Sequence, residues 1–287
     1  MSSSARGAAP SFDDADPHRD PGFDATRFEG RVAIVTGGGS QADGIGNGRA
    51  AAILLARRGA RVLVLDHHLA AAQATADRIT SEGGIAQALH TDVTQDAACK
   101  YAVDYAVQAW GRVDVLINNV GIGGPPGDAT ALDLDAWDAA MRVNVTSMML
   151  MARHAVPVMV AQGKGAIVNL ASVAGLLGSY TGLLYQTSKG AVVNMTRGMA
   201  TQHAAQGIRV NCVAPGMVYT PMVYAAGMPP EVREARRKRS LLRTEGSGWD
   251  VGEAVVFLAS DAARWITGAV LPVDAGTTAT SGRIAPG

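Results

Sequence analysis

The sequence predicts a single α/β domain, a doubly wound sheet of seven parallel strands with helices on both faces. Short apolar runs alternate with longer amphipathic segments from Arg31 onward, and no break in composition interrupts this rhythm. Most runs are nearly continuous in Val, Ile and Leu, as expected for strands that are covered on both faces. Alternating strands and helices imply right-handed crossovers and therefore a parallel sheet.

Seven strands and six helices make up the predicted domain. The strands span residues 31–37, 61–66, 85–93, 113–119, 165–172, 208–216 and 269–276, of which 85–93 is the weakest. The helices span residues 46–58, 69–82, 95–110, 132–162, 185–206 and 249–260. We expect the domain to cover residues 30–278, between an N-terminal arm at 1–29 and a C-terminal tail at 279–287.

The charge balance narrows the classes of function. The 287 residues include 25 basic and 25 acidic side chains, so the formal net charge is zero. Nucleic-acid and anionic-membrane surfaces need a clustered basic face, so we expect neither partner. The sequence contains no run of about 18 consecutive apolar residues, so we expect no membrane span. Two cysteines without a CxxC spacing favour a reducing, cytoplasmic environment.

Residues 1–29 differ from the rest of the chain because they are rich in Ser, Asp, Pro and Gly. They lack the hydrophobic region of a secretory signal, and their acidic side chains argue against a transit peptide. We expect a flexible or loosely docked arm. A cap on a neighbouring subunit is the alternative.

A glycine-rich turn follows the first predicted strand and precedes an alanine-rich helix. Such a turn lets the backbone approach a pyrophosphate, and the helix N-terminus supplies free N–H groups and partial positive charge. This arrangement is typical of a dinucleotide-binding Rossmann fold. The residues expected to bind the cofactor here are Gly37, Ser40, Gly44, Ile45 and Gly46.

Asp66 ends the second predicted strand, twenty residues beyond Gly46. A carboxylate at this place can accept both hydroxyls of an adenosine ribose. It would repel a 2′-phosphate, and no Lys or Arg lies between Gly37 and Gly46 to offset that repulsion. NAD is therefore favoured over NADP as the cofactor.

Tyr185 and Lys189 stand four residues apart, on one face of a predicted helix. A phenol is a poor base at neutral pH, but a nearby cation favours the phenolate. Ser172 lies 13 residues earlier, at the end of a predicted strand. Because ligands bind at the carboxyl ends of parallel strands, the hydroxyl, the phenol and the dinucleotide are expected to meet there.

These motifs resemble those of the short-chain dehydrogenase/reductase family, over Gly30 to about Thr278. Residues 36–46 are similar to its TGxxxGxG motif and residues 118–121 to its NNAG motif. The resemblance implies a catalytic tetrad and hydride transfer between a nicotinamide and a carbinol or carbonyl carbon. The tetrad residues are Asn144, which would hold a relay water, Ser172, Tyr185 and Lys189.

The resemblance also implies further cofactor contacts. Asp92 and Val93 would lie near the adenine, and Tyr185 and Lys189 would also contact the cofactor. The remaining implied contacts, from the NNAG-like motif and from the segment that holds the nicotinamide carboxamide, are Asn119, Gly121, Pro215, Gly216, Val218 and Thr220. The four-residue interval between Tyr185 and Lys189 implies alcohol and ketone chemistry, since enoyl reductases of this fold use a longer one.

The sequence departs from the family pattern in two ways. Gln41, Ala42 and Asp43 lengthen the cofactor turn, so that Gly37 and Gly44 are seven residues apart where the family has four. We expect a bulged loop in which Asp43 points away from the pyrophosphate. Val120 replaces the usual alanine, a small change of volume.

The expected substrate is a hydrophobic secondary alcohol or ketone of aromatic, alicyclic or acyl-thioester type. The predicted pocket residues are Val173, Leu176, Tyr180, Leu184, Met217, Tyr219 and Met222. The basic segment 231–239 is expected in a lid. It allows an alternative, a 3-oxoacyl-thioester reductase acting on acyl-carrier-protein or coenzyme A substrates, although a solvated helix face is the simpler interpretation.

Two other classes of protein fit the sequence less well. A catalytically silent NAD(H)-binding regulatory or scaffold protein would not need the phenol, and a sugar-nucleotide epimerase would need a longer C-terminal half. No metal is expected, since His67 and His68 lack a third ligand at zinc spacing. Family members pair helices like 132–162 and 185–206, so we expect a homotetramer, or a homodimer.

Overall fold

The computed structural model describes residues 24–40, 43–178, 182–225 and 227–280. Within them, seven parallel strands form one sheet in the order β3-β2-β1-β4-β5-β6-β7. The predicted fold class is confirmed. The strands are β1 Val32–Thr36, β2 Arg61–Asp66, β3 Ile85–His90, β4 Val115–Asn118, β5 Gly165–Leu170, β6 Ile208–Pro215 and β7 Val270–Val273.

Helices cover both faces of this sheet. They are α1 Asn47–Arg57, α2 Leu69–Ser81, α3 Asp96–Trp110, α4 Leu134–Met141, α5 Ser147–Gln162, α6 Leu183–His203, α7 Pro221–Tyr224, α8 Pro230–Arg237 and α9 Gly248–Ala259. Alternate residues of β1 enter the two cores, as the strand repeat requires. Val32 and Ile34 pack with α3 and α5, whereas Ala33 and Val35 pack with α1 and α9.

The strand order places the chain reversal between β1 and β4. From β1 the chain proceeds outward to β2 and β3, and then returns across the sheet to β4 beside β1. Thr36 at the end of β1 is level with Asn118 at the end of β4. A crevice is expected outside the carboxyl ends of the strands at such a switch point.

The predicted helix 132–162 is interrupted in the structure. A turn of π-helix, Arg142–Thr146, separates α4 from α5. Single π-turns insert one residue into a helix and are frequent at functional sites. A period count cannot detect such an insertion, because the apolar pattern on either side remains helical.

The continuous helical run Leu134–Gln162 is long and apolar enough to cross a membrane, judged by length and composition. In the structure 44% of its most apolar window is buried inside the protein. Met151 and Met159 of α5 are fully buried in the core beside α3. Packing within the core therefore accounts for part of the apolar character of this run.

The first described residues are attached to the domain. Phe28 is fully buried in the core, its N–H donates to the Arg58 carbonyl at 2.7 Å, and the Ala25 carbonyl accepts from the Ala262 N–H at 3.0 Å. The boundary predicted between residues 29 and 30 is therefore too late, since a buried aromatic ring belongs to the domain. Residues 1–23 of the arm and 281–287 of the tail lie outside the described residues.

Candidate active site

The predicted site residues lie at the carboxyl ends of β1, β2, β4, β5 and β6. The glycine turn follows β1, Asp66 ends β2, and Asn119 follows β4. Ser172 follows β5 by two residues, and Pro215 ends β6. One edge of the sheet thus collects motifs that are distant in sequence.

The glycine turn is held from the neighbouring strand. Gly37 has a φ of +61°, a conformation that favours glycine. The Asn119 side-chain amide donates to the carbonyls of Thr36 at 3.3 Å and Gly37 at 2.9 Å. A Cβ on Gly48 would lie 2.2 Å from the Gly37 oxygen, so only glycine permits this approach. The Asn119 side chain therefore positions the turn, and its expected contact with the cofactor stays a prediction.

Asp66 is the second support of the turn. Its Oδ2 accepts from the Gly39 N–H at 3.0 Å, and its Oδ1 accepts from the His68 N–H at 2.9 Å. A Cβ on Gly39 would lie 2.8 Å from this carboxylate and 2.7 Å from the Ala71 Cβ. Each carboxylate oxygen keeps further lone-pair capacity for ribose hydroxyls.

The turn and the start of α1 fit a dinucleotide pyrophosphate. Gly46 is the N-cap of α1, and it makes no side-chain capping bond. A Cβ on Gly46 would meet nothing within 4 Å, so the space beside the helix N-terminus is open. Free backbone N–H groups at an open helix N-terminus are the usual anion site.

Two residues that sequence reasoning missed hold the lengthened part of the turn. The Arg49 guanidinium, on α1, donates to the Gly44 carbonyl at 3.0 Å. The Tyr224 hydroxyl, on α7, donates to the Asp43 carbonyl at 2.8 Å. The Asp43 residue itself is exposed, and Gln41 and Ala42 lie outside the described residues. The insertion marked this loop as unusual, but no sequence signal connects it to Tyr224, 181 residues away.

Ser172 and α6 are brought together by a short 3-10 turn, Val173–Gly175. Ser172 caps this turn, and its Oγ accepts from the Ala174 N–H at 3.2 Å. A Cβ on Gly175 would lie 2.5 Å from the Lys189 carbonyl carbon. Glycine therefore lets the turn after β5 rest directly on the α6 backbone, which carries Tyr185 and Lys189.

Lys189 is a buried cation beneath Tyr185. Its side chain is 3% exposed, and its Nζ donates to the Leu170 carbonyl, the last of β5, at 2.9 Å. The Nζ lies 5.9 Å from the centre of the Tyr185 ring. Burial lowers the pKa of Lys189 to about 8, so the ammonium is still charged at pH 7.

Asn144 lies in the π-turn and is completely buried. Its Oδ1 accepts from the Ile122 N–H at 2.7 Å, and its Nδ2 donates to the Ile122 carbonyl at 2.9 Å and to the Ser188 Oγ at 3.0 Å. This side chain therefore positions the loop after β4, and the relay water expected at Asn144 stays a prediction. Gly121 in this loop passes close to Lys189, since a Cβ there would lie 3.0 Å from the Nζ.

The remaining predicted cofactor residues lie at the same edge of the sheet. The Asp92 carboxylate accepts from the Thr94 N–H at 2.9 Å and shapes the loop after β3. Val93 and Val218 are almost fully buried in the two cores, so either could contact a ligand mainly through its main chain. After β6, Gly216 lies against Asp274, and Thr220 is the N-cap of α7.

The residues of the predicted substrate pocket differ in how far they are buried. Leu184 is fully buried, because it packs beneath Gly124, where a Cβ would lie 2.3 Å from its Cδ2. Leu184 is therefore a core residue and not a pocket residue, a correction that depends on contact with a loop 60 residues earlier. Val173 is also nearly buried, whereas Met222 is 67% exposed. Tyr180 lies outside the described residues.

The basic segment 231–239 is largely occupied by contacts within the chain. Arg233 forms an ion pair with Glu245 at 2.7 Å, and both Arg237 and Lys238 pair with Glu234. The Arg236 guanidinium donates to the Val218 carbonyl at 3.3 Å. Among the described residues, no group of three or more His, Cys, Asp or Glu side chains is placed to hold a metal ion.

Comparison with known proteins gives consistent relatives. Residues 38–278 match a protein-family model described as enoyl-(acyl carrier protein) reductase. The chain is 40% identical to cis-4-hydroxycyclohexanecarboxylate dehydrogenase of Sinomonas cyclohexanicum, over 88% of this chain and 98% of that protein. It is 39% identical to 2-(S)-hydroxypropyl-CoM dehydrogenase 3 of Xanthobacter autotrophicus, over 89% of this chain and 99% of that protein.

A solved structure shares the fold throughout. It is that of a short-chain dehydrogenase/reductase from Burkholderia xenovorans, with a TM-score of 0.84 and 39% sequence identity. The match covers 89% of this chain and 99% of the other. The agreement therefore extends over the whole sheet and its helices.

The contacts of Asn144 predict a graded loss of stability. Asn144→Ala removes two hydrogen bonds to the main chain of Ile122 and one to Ser188, and is expected to lower the free energy of unfolding by about 3 kcal/mol. Ser188→Ala removes one of these bonds and is expected to cost about 1 kcal/mol. Urea denaturation of both variants checks the order, and an equal or reversed order would contradict the positioning role of Asn144.

Proposed function

The chain belongs to the short-chain dehydrogenase/reductase family, and we propose that it catalyses the NAD-dependent interconversion of a secondary alcohol and a ketone. The observation that carries this proposal is the junction of β5, the 3-10 turn and α6. There the turn that carries Ser172 rests on the α6 backbone, and the buried Lys189 Nζ lies 5.9 Å from the centre of the Tyr185 ring. A protein that only binds the dinucleotide would need the glycine turn but not this junction.

In the oxidative direction Tyr185, as phenolate, takes the proton of the substrate hydroxyl. The Ser172 hydroxyl donates a hydrogen bond to the reacting oxygen and stabilises the charge that develops on it. Bound NAD⁺ supplies the acceptor for the hydride that leaves the carbinol carbon. In the reductive direction Tyr185 returns the proton to the carbonyl oxygen.

Lys189 acts as the cation that favours the phenolate. Its ammonium is held near the Tyr185 ring by the Leu170 carbonyl and is shielded from water, which strengthens its field. With a pKa of about 8 it carries charge at pH 7 and loses its proton as the pH rises through that value. Asn144 serves this pair as a positioning residue, through Ile122 and Ser188.

NAD is the proposed cofactor because of the carboxylate of Asp66. The structure adds one nearby cation, Arg49, whose charge is attracted by both Asp43 and Asp66. Its Nε donates to the Thr75 Oγ1 at 3.0 Å and its Nη1 to the Gly44 carbonyl. These contacts hold the guanidinium toward the protein, which supports the proposal of NAD over NADP.

A cyclic or otherwise hydrophobic secondary alcohol is the proposed substrate class. The relatives described above carry the names of dehydrogenases of hydroxy compounds, one of them a hydroxylated cyclohexane ring. An acyl-carrier-protein substrate is the weaker alternative, because α8 uses its basic side chains in ion pairs and a main-chain hydrogen bond. The four-residue Tyr185–Lys189 interval supports alcohol chemistry in spite of the enoyl reductase description of the family model.

We further propose a cytoplasmic homotetramer. The free cysteines, Cys99 and Cys212, are both buried, as suits a reducing compartment. Apolar side chains remain exposed on α5, where Met149 is 40% exposed, and beside the edge strand β7, where Trp265 is 93% exposed. Two separate apolar faces are what a tetramer with two kinds of interface requires.

Tyr185→Phe tests the proposed reaction. It removes the proton acceptor but not the ring, so turnover of secondary alcohols should fall on the order of 10²- to 10⁴-fold. NADH binding, followed by fluorescence titration, should persist. Tyr101→Phe, at an exposed position on α3, is the matched control and should retain full turnover. NADH binding by the natural protein without turnover over a broad panel of alcohols and ketones would favour the scaffold alternative.

Asp66→Ala tests the choice of cofactor. Removing a like charge about 4 Å from a 2′-phosphate is worth about 1 to 4 kcal/mol near a protein surface, so the NADP to NAD efficiency ratio should rise about fivefold or more. Asp43→Ala removes a nearby exposed carboxylate that is not placed at the ribose, and should change the ratio much less. A natural protein that already prefers NADP would refute the assignment.

Light scattering tests the assembly. The expected mass is four times the 29.5 kDa of the chain. Trp265→Glu places a charge on the β7 face and should reduce the tetramer to a dimer held by the α5–α6 face. A monomeric mass for the natural protein would overturn this part of the proposal.

A further inference from the structure

We propose that Tyr224 fastens the segment over the substrate site to the lengthened cofactor turn, and thereby controls the rate at which NAD(H) leaves. We call residues 217–225 and 227–245, which follow β6, the flap. The inference rests on the proposed function, since it needs a dinucleotide in the turn. It concerns Asp43, the one of the three inserted residues that the structure describes.

Helix α7 packs closely against the turn. The Tyr224 hydroxyl donates to the Asp43 carbonyl at 2.8 Å. A Cβ on the next residue, Gly44, would lie 2.0 Å from the same hydroxyl and 3.4 Å from the Pro221 Cγ. Gly44 also has a φ of +126°, which an L side chain rarely adopts. Only a residue without a side chain therefore fits between the turn and α7 at this position.

Tyr224 is itself fixed within the flap. Its ring lies 4.7 Å from the ring of Tyr219, centre to centre. The Arg233 guanidinium covers Tyr219 at 3.7 Å from the ring centre and forms an ion pair with the nearly buried Glu245. Stacked aromatic and cation–π contacts of this kind resist rotation of the side chains. A movement of Tyr224 is therefore transmitted to α8 and to the end of the flap.

The two ends of the flap also lie beside the turn. The Tyr219 N–H donates to the Gly246 carbonyl at 2.8 Å, which joins the start of the flap to the residue after its end. A Cβ on Gly248, at the start of α9, would lie 2.6 Å from the Ile45 carbonyl oxygen. The flap is therefore anchored at its base against Ile45, and Tyr224 supplies a second, distant attachment at Asp43.

The flap and the segment that follows it therefore contact the turn on both sides of Gly44, at Asp43 and at Ile45. For the dinucleotide to leave, this segment has to move, so the Tyr224–Asp43 hydrogen bond must break. The carbonyl that accepts from Tyr224 belongs to Asp43, which is one of the three inserted residues. The expected effect of the inserted residue Asp43 is therefore slower dissociation of the bound cofactor.

Tyr224→Phe is the direct test. It keeps the stacked ring and removes only the hydroxyl, so the NADH dissociation rate, measured by stopped-flow fluorescence, should rise about fivefold, as expected for one modest hydrogen bond. Tyr101→Phe, exposed on α3, is the matched control and should leave the rate unchanged. The cofactor-free protein gives a second readout, because hydrogen–deuterium exchange of residues 217–225 should be faster in Tyr224→Phe.

Deletion of residues 41–43 completes a double-mutant cycle. If the hydroxyl acts through the inserted loop, Tyr224→Phe should have no further effect on NADH dissociation in the shortened protein. An unchanged rate in Tyr224→Phe alone, or an equal increase in both backgrounds, would overturn the inference and leave the proposed function intact. A natural protein that binds no NADH would overturn both together.

Discussion

The buried ammonium of Lys189 is the constraint on which the architecture of the site depends. Burying a charged lysine until it is only 3% exposed costs free energy of folding. In the folded protein Lys189 therefore binds its proton less tightly than an exposed lysine does. The cost to folding is therefore present below about pH 8 and diminishes as the pH rises toward the usual lysine range. The Leu170 carbonyl offsets part of it, which fixes α6 against the end of β5.

Glycines on two sides make this burial possible. Gly175 lets the turn that carries Ser172 rest on the Lys189 backbone, and Gly121 lets the loop after β4 pass the Nζ. Asn144 holds that loop from the π-turn, with both polar groups of Ile122 satisfied. The turn that carries Ser172, the helix that carries Tyr185 and Lys189, and the loop after β4 therefore support one another. A change at one of these segments is expected to displace the other two.

Repeating patterns and fixed spacings made the fold predictable, together with the position of the candidate site residues at one edge of the sheet. The period of the apolar runs gave the strands, and the interval between Tyr185 and Lys189 placed both on one helix face. Contacts between distant segments were not predictable, because no local pattern encodes them. Leu184 is buried by Gly124, Arg49 reaches the Gly44 carbonyl, and the π-turn at Asn144 leaves the apolar period unchanged.

The tolerance of three extra residues in the cofactor turn follows from how the turn is held. Asn119 binds it at Gly37, Asp66 at Gly39, and Arg49 at Gly44, while α9 packs on it at Ile45. The insertion lies between fixed points, and lengthening such a loop costs only about 0.6 kcal/mol for each doubling. The ligand-facing glycines therefore keep their places, and the added main chain is free to acquire a partner of its own in α7.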